Sequence, residues 1–140
     1  SADRPLSLLF IDFDNLKALN TTHGNTQADR LLGAVITTIV NIVYGKGRCY
    51  LHGNGDEFAV LLPNASPREA LATADRIVSE CRKIIIDGLP KPTVSVGVAT
   101  LCDNITSALA LEESANAAQR NAKTLGKDRA IHINSSVSLG

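Results

Sequence analysis

The sequence predicts an α+β domain, and three of its features carry that prediction. Apolar runs of strand length alternate with amphipathic helical segments in the order β-α-α-β-β-α-β-α-β. Two of the strands are separated only by a Gly-Asn-Gly-Asp turn, which indicates a β-hairpin. A chain of 140 residues is long enough for one domain with a single core. We therefore expect a central, mostly antiparallel sheet with a hairpin at one edge, surrounded by helices.

The beginning of the chain predicts one buried strand and two helices. Residues 6–13 form a nearly continuous apolar run that ends in acids, which is typical of a strand buried on both faces. A short helix follows and closes at Gly24, because glycine is the preferred residue just past a helix end. From Ala28 to Tyr44 the apolar residues recur at steps of three and four, which is the stripe of an amphipathic helix.

The middle of the chain predicts two short strands and a capped helix. Residues 48–52 and 57–62 flank the turn, whose Gly and Asn residues can take the positive φ that a tight hairpin requires. Ser-Pro-Arg-Glu at residues 66–69 supplies an N-cap, a proline at the first helical position and an acid three residues after the cap. This capping box predicts a helix that ends near Ile86.

The last third of the chain predicts a strand, a helix and a strand. Alternating valines at residues 91–100 indicate the first of these, and the Ala-rich segment 107–125 indicates a helix that Gly126 ends. Residues 129–133 form the final predicted strand.

The composition excludes several classes of protein. Fourteen basic residues balance fourteen acidic ones, so no overall charge attracts nucleic acid or a membrane surface. No apolar run approaches the roughly 20 residues of a membrane span, and no signal peptide opens the chain. The three cysteines include no CxxC pair, and we interpret them as reduced residues of a cytoplasmic protein. We expect one domain over residues 1–140, with a core at 6–133 and a tail at 134–140.

Acidic residues stand at two strand ends that the hairpin would bring together. Asp12 and Asp14 end the first strand, and Asp56 and Glu57 lie at the hairpin tip. Converging carboxylates repel one another unless a cation neutralises them, and oxygen ligands of this kind suit Mg²⁺ or Mn²⁺. The alternative is that each pair is a solvated charge at a loop end, since Asp is common in turns. For the whole set, beside buried strands, we favour a metal site.

Three lysines extend this pattern. Lys17 lies in the first turn of a helix, where free backbone N–H groups favour phosphate, but it would equally suit an ordinary surface position. Lys123 and Lys127 could form a clamp for a triphosphate. Their spacing alone favours a different interpretation, a solvated helix end whose charges complement the helix dipole.

Together these stretches resemble the GGDEF family, the diguanylate cyclase domain. The family's Gly-Gly-Asp-Glu-Phe hairpin appears here as NGDEF at residues 54–58. The segment "FIDFDNLKALNTTHGNTQAD" tracks the family's first strand and the residues after it. "TVSVGVA" resembles its Thr-x-Ser-x-Gly strand, and "AKTLGKDR" resembles its lysine-bearing end. The similarity covers residues 6–133 in order.

The resemblance implies a palm-like fold related to nucleotide cyclases, and an enzyme that condenses two GTP molecules into cyclic di-GMP as a homodimer. It implies that Asp12 and Glu57, with the backbone carbonyl of Phe13, bind Mg²⁺ or Mn²⁺, and that Asp56 and Glu57 are catalytic. It also implies a set of substrate-binding residues, which are Asn20 and Asp29 for guanine, Lys17, Lys123 and Lys127 for phosphate, and Asn54 and Gly55 at the hairpin.

The sequence departs from the family's pattern around this site. Asn54 replaces the first glycine of the signature, His52 stands where Arg is typical, and Lys127 replaces an Arg that would bind phosphate bidentately. Residues 45–48 lack the Arg-x-x-Asp of the family's inhibitory product site, so product inhibition there is not expected. The family's leading helix and its Asp-x-Leu-Thr segment are also absent from the sequence, which leads us to expect an upstream regulatory domain.

Three functional hypotheses stay open on the sequence. The first is the metal-dependent cyclase, which the retained acids and guanine-binding positions favour. The second is a degenerate, non-catalytic domain that senses GTP or a cyclic dinucleotide, which the departures favour. The third is a cyclase with altered base choice. A purely structural dimerisation module would have no reason to keep the acids.

Overall fold

The computed structural model describes residues 5–52, 57–101 and 105–133, and these form a five-stranded sheet with helices on both faces. The strands are β1 (Leu6–Phe13), β2 (Arg48–His52), β3 (Glu57–Pro63), β4 (Val94–Leu101) and β5 (Arg129–His132). The helices are α1 (Leu16–His23), α2 (Asn25–Val43), α3 (Pro67–Arg82) and α4 (Ala108–Thr124). The predicted α+β class and element order are confirmed. Among the described segments, no helix is long and apolar enough to cross a membrane.

The strand β1 lies at the centre of the sheet. The strand order is β2-β3-β1-β4-β5, and every neighbouring pair is antiparallel except β4 and β5. Because β1 is bonded on both sides, its residues from Ser7 to Ile11 are buried, as the continuous apolar run predicted. The end of β1 is therefore flanked by β3 on one side and β4 on the other.

Alternate residues of β1 belong to two hydrophobic cores. Leu9 and Ile11 lie in the larger cluster, which is completed by α2 and α3. Leu8 and Phe10 lie in the smaller cluster, which is completed by α4. Side chains alternate between the two faces of a strand, so Asp12 belongs to the α4 face. This alternation places the Asp12 carboxylate on the face of the sheet that α4 covers, and α4 carries Lys123.

The helix α4 lies very close to β4 because Gly97 has no side chain. A Cβ atom at this position would lie 2.1 Å from the Ala115 carbonyl oxygen and 2.2 Å from the Gln119 backbone nitrogen. The helix faces the sheet with small buried residues, including Ala118 and Ala122. Close packing here sets the distance between the sheet and the last turn of α4.

Two helix boundaries differ from the prediction. α2 begins at Asn25, since Gly24, with a φ of 85°, ends α1, and its carbonyl oxygen accepts the first bond of α2 from the Ala28 amide. α3 ends at Arg82, four residues early. The isoleucines at residues 84–86 lie outside any helix or strand, with Ile84 and Ile86 half-buried and Ile85 exposed.

The predicted local signals are confirmed where the structure describes them. The Ser66 hydroxyl accepts a hydrogen bond from the Glu69 amide at 3.1 Å, and the Glu69 carboxylate accepts one from the Ser66 amide at 3.0 Å. The predicted hairpin pairs β2 with β3 in antiparallel register. Its turn at residues 53–56 and the tail at residues 134–140 lie outside the described residues.

Candidate active site

Two of the predicted metal ligands lie directly opposite each other on neighbouring strands. Asp12 of β1 pairs with Glu57 of β3. Directly opposed side chains of an antiparallel pair share one face of the sheet, and like charges in this arrangement repel. A cation beside the two carboxylates therefore stabilises the pair.

Lys123 of α4 supplies one such cation. Its Nζ lies 2.6 Å from Asp12 Oδ2, and the Asp12 side chain is only 15% exposed. Salt screens a partly buried ion pair less than an exposed one. One predicted phosphate-binding lysine and one predicted metal ligand are thus in contact in this structure.

Lys127 reaches a neighbouring residue at the same strand end. Its Nζ donates a hydrogen bond to Asn15 Oδ1 at 2.7 Å. Asn15 is the N-cap residue of α1, yet its side chain makes no capping bond. The spacing of the two lysines favoured a solvated helix end, whereas both ammonium groups contact residues at the end of β1. Asn15 was not predicted, and its position directly after Asp-x-Asp is the signal that could have identified it.

Asp14 does not join the carboxylate pair, contrary to the expectation that all four acids converge. Its side chain is buried, with 5% of the residue exposed. It accepts hydrogen bonds from Thr93 Oγ1 at 2.8 Å, from Ser95 Oγ at 2.6 Å and from the Asp128 amide at 3.0 Å. A buried carboxylate requires such donors, because burial removes its hydration. Two of these donors, Thr93 and Ser95, form the Thr-x-Ser pattern at the start of β4, a pattern that does not by itself identify the residue it bonds.

The donor set at the end of β1 fits a hard divalent cation. The carboxylates of Asp12 and Glu57 and the main-chain carbonyl of Phe13 are oxygen ligands, which Mg²⁺ and Mn²⁺ prefer, and Mg²⁺ commonly uses one or two carboxylates plus substrate phosphates. In the ranges that the structure describes, no three His, Cys, Asp or Glu side chains form a group that could hold a metal ion. The predicted residues Asn54, Gly55 and Asp56 lie outside those ranges.

The residues predicted to bind guanine lie on α1 and α2. Asn20 is half-buried and Asp29 is exposed, while Lys17, in the first turn of α1, is also exposed. A cavity of about 310 Å³ opens beside α1 and is lined there by Ala18 and Thr22, but neither Asn20 nor Asp29 lines it. The cavity therefore does not test the guanine assignment, which stays a prediction.

Comparison with known proteins identifies relatives of this chain. Residues 1–129 match the family described as "Diguanylate cyclase, GGDEF domain". The chain is 39% identical over 93 residues to diguanylate cyclase DgcM of Escherichia coli K12, a match that covers 66% of this chain and 22% of that protein. It is 34% identical over 127 residues to diguanylate cyclase A of Treponema denticola, covering 89% of this chain and 34% of that protein. The chain thus spans about a third or less of the length of these relatives.

A solved structure shows the same fold. The GGDEF domain of DgcB from Caulobacter crescentus, crystallised in complex with c-di-GMP, has a TM-score of 0.87 over 94% of this chain and 79% of that chain, at 24% identity. At this identity the likeness concerns the fold alone, and it confirms the predicted GGDEF fold. The family match over residues 1–129 shows that the chain belongs to the GGDEF family of diguanylate cyclase domains.

Proposed function

We propose that this domain is a metal-dependent diguanylate cyclase, which condenses two GTP molecules into cyclic di-GMP and releases pyrophosphate. The observation that carries the proposal is the direct opposition of Asp12 and Glu57, with Lys123 placed 2.6 Å from Asp12. Carboxylates for a divalent cation and an ammonium for phosphate, at one strand end, are the groups that phosphoryl transfer uses. Membership of the family supports the same reaction.

At the end of β1, one group of residues would hold the metal ion and another would bind the triphosphate. Asp12, Glu57 and the Phe13 carbonyl would hold Mg²⁺ or Mn²⁺, which when bound supplies charge neutralisation and makes a 3′-hydroxyl more acidic. Lys123 and Lys127 bind phosphate oxygens as point charges, so Lys127 lacks the bidentate geometry that an Arg would provide. Asp56 assists activation of the 3′-hydroxyl, and Lys17 adds to the phosphate contacts.

Recognition of the base and pairing of two substrates complete the proposal. Asn20 and Asp29 bind guanine, since a carboxylate accepts hydrogen bonds from guanine N1–H and N2–H₂. Each subunit binds one GTP, so two copies of the domain face each other as a homodimer, each supplying one nucleophile and one electrophile. The proposal also includes a cytoplasmic location and an upstream regulatory domain. It includes no binding of nucleic acid and no contact of this domain with a membrane.

The test is a direct search for product. The purified domain, at high concentration, is incubated with GTP or ATP plus Mg²⁺ or Mn²⁺, and products are identified by mass spectrometry. We expect cyclic di-GMP from GTP. Glu57→Gln, which keeps the shape and removes the charge, should abolish both product and metal-dependent GTP binding while circular dichroism stays unchanged. Full activity in that variant would contradict the metal assignment.

Two other outcomes would redirect the proposal. If GTP stabilises the fold but no product forms, even after fusion to a dimerisation domain, the domain is a sensor. An adenine-containing product would show that Asn20 and Asp29 do not restrict the base to guanine.

A further inference from the structure

The turn that carries Lys127 has an uncommon backbone conformation. Lys127 and Asp128 have φ values of 64° and 51°. Asn15, whose side chain accepts a hydrogen bond from the Lys127 ammonium, has a φ of 61°. Positive φ is disfavoured for residues with a side chain, because Cβ crowds the backbone. Within the described parts of the chain, the one other non-glycine residue of this kind is Asn64. Such conformations persist only where the surrounding structure holds them.

Bonds from α4 itself hold the first half of this turn. The Gly126 amide donates to the Lys123 carbonyl at 3.3 Å, and the Lys127 amide donates to the Ala122 carbonyl at 2.9 Å. This is the Schellman pattern, which closes many helices at a glycine. These two hydrogen bonds hold the chain as far as the Lys127 nitrogen. The next residue, Asp128, is held by other partners.

Asp128 is held by residues from outside the turn. Its amide donates to Asp14 Oδ2 at 3.0 Å. Arg82 of α3 donates from Nε to Asp128 Oδ1 at 2.8 Å and from Nη2 to the Asp128 carbonyl at 2.9 Å. The Arg82 side chain is half exposed and that of Asp128 about a third, so solvent weakens this pair. Asp14 is the rigid partner, because it is buried and bonded to the hydroxyl groups of Thr93 and Ser95.

We propose that Asp14 is a positioning residue for the phosphate-binding lysine. By accepting a hydrogen bond from the Asp128 amide, Asp14 holds the turn. The Lys127 ammonium then points to the end of β1, where it donates a hydrogen bond to Asn15. The functional consequence rests on the proposed cyclase, in which Lys127 binds phosphate, but the hydrogen-bond arrangement does not. Asp14 contacts neither metal nor nucleotide in this scheme, and it acts through Lys127.

The bonding pattern predicts different results for two substitutions at this position. Oδ2 accepts from both Thr93 and Asp128, whereas Oδ1 accepts from Ser95. In Asp14→Asn the carboxamide oxygen can take the place of Oδ2, and its NH₂ group can donate to the Ser95 hydroxyl, which also accepts hydrogen bonds. Asp14→Ala removes every acceptor. A metal ligand would instead depend on the negative charge and would lose its role in both variants.

The experiment combines GTP affinity with amide hydrogen exchange in the full chain. Affinity for GTP with Mg²⁺ is measured for Asp14→Asn, Asp14→Ala, Lys127→Ala and the double variant Asp14→Ala/Lys127→Ala. We expect Asp14→Ala and Lys127→Ala each to weaken binding about tenfold, the double variant to be little worse than either, and Asp14→Asn to stay within about threefold. Exchange of the Asp128 amide should be about tenfold faster in Asp14→Ala and close to wild type in Asp14→Asn. Asp87→Asn, at an exposed position, is the matched control and should change neither readout.

Each outcome decides the proposal. Equal losses of affinity in Asp14→Asn and Asp14→Ala, additive with Lys127→Ala, would overturn it in favour of a role for the carboxylate charge. If Asp14→Ala does not fold, Asp14→Ser replaces it, because serine keeps a polar group near the hydroxyls of Thr93 and Ser95 but is one bond shorter than aspartate. An unchanged Asp128 exchange rate in the folded variant would overturn the proposal. If the wild-type chain binds no GTP, the proposed function fails, and the exchange rates alone decide whether Asp14 holds the turn.

Discussion

A methyl group added at Gly97 should force α4 away from the sheet. The new Cβ atom of Gly97→Ala would lie 2.1 Å from the Ala115 carbonyl oxygen and 2.2 Å from the Gln119 nitrogen, whereas real Cβ contacts are essentially never shorter than 3.0 Å. Both obstacles are backbone atoms of α4, so rotation of a side chain cannot relieve the contact. The helix must retreat by about 0.9 Å, which is the difference between 2.1 and 3.0 Å.

The energetic cost follows from the gap that this movement opens. A separation of about 0.5–1 Å beyond contact removes roughly a quarter to a half of the dispersion energy of each atom pair. Overpacking of a core costs about 1–3 kcal/mol. We expect Gly97→Ala to lower the free energy of unfolding by about 3 kcal/mol, because the backbone of a whole helix must move. In a domain of this size that change lowers Tm by roughly 10 °C.

Urea unfolding followed by circular dichroism measures this effect. The unfolding midpoint should fall while the slope with denaturant stays unchanged. Gly33→Ala is the matched control, since it adds the same methyl group to α2 at an exposed position with no atom within 4 Å. It should stabilise the protein by about 0.5–1 kcal/mol, because alanine favours a helix more than glycine does. Stability of Gly97→Ala within about 0.5 kcal/mol of wild type would refute the close approach of α4 to β4.

The same displacement would reach the candidate active site. Lys123 lies in the last turn of α4, and its contact with Asp12 is 2.6 Å long. A retreat of the helix lengthens this contact or forces the lysine to extend. GTP affinity should therefore fall in Gly97→Ala and stay unchanged in Gly33→Ala.

Three further predictions concern a helix cap, a buried histidine and a buried thiol. Ser66→Ala removes the side-chain cap of α3 and should lower the free energy of unfolding by about 1 kcal/mol, measured in urea. Burial lowers the pKa of His132 below its ordinary value of 6.5, so the unfolded chain binds a proton more readily than the folded one. The free energy of unfolding should therefore fall as the pH drops from 6.5 through the lowered folded pKa, and this component should be absent in His132→Gln. Burial, assisted by the charges of Glu80 and Asp128, raises the pKa of the Cys81 thiol to about 12. Iodoacetamide at about pH 8 should leave Cys81 unmodified until the chain unfolds, as mass spectrometry would show.

Specific results would contradict each of these three. Equal unfolding free energies of Ser66→Ala and wild type would mean that the cap adds no stability. If the free energy of unfolding falls with pH equally in His132→Gln and in the wild type, titratable groups other than His132 cause the fall. Alkylation of Cys81 in the folded protein as fast as that of the half-buried Cys49 would contradict its burial.

The order of helices and strands was predictable because local patterns decide each element. The capping box at residues 66–69 starts α3, and Gly126 ends α4, as expected. Prediction failed where two signals compete for the same residues. Gly24 both ends α1 and is the N-cap residue of α2, and the apolar residues 84–86 suit a helix by composition but lie outside any helix or strand.

The candidate site was predictable in residue type more than in arrangement. Asp12 and Glu57 lie opposite each other at the strand end, as the converging acids suggested, whereas the spacing of the lysines did not predict the contact of Lys123 with Asp12. The role of Asp14 could not be predicted, because its partners Thr93, Ser95 and Asp128 lie 79, 81 and 114 residues away in the sequence. No local pattern reports contacts over such separations.

The sequence by itself determined the α+β class, the element order and the acids and lysines available for a site, since periodicity and residue chemistry are local properties. Only the tertiary structure decided how two acids one residue apart are used. The register of β1 places Asp12 opposite Glu57, while Asp14, beyond the end of the strand, bonds to β4 and the turn after α4. That division arises because the hydrogen bonds of Asp14 form only once the sheet and α4 have assembled around it.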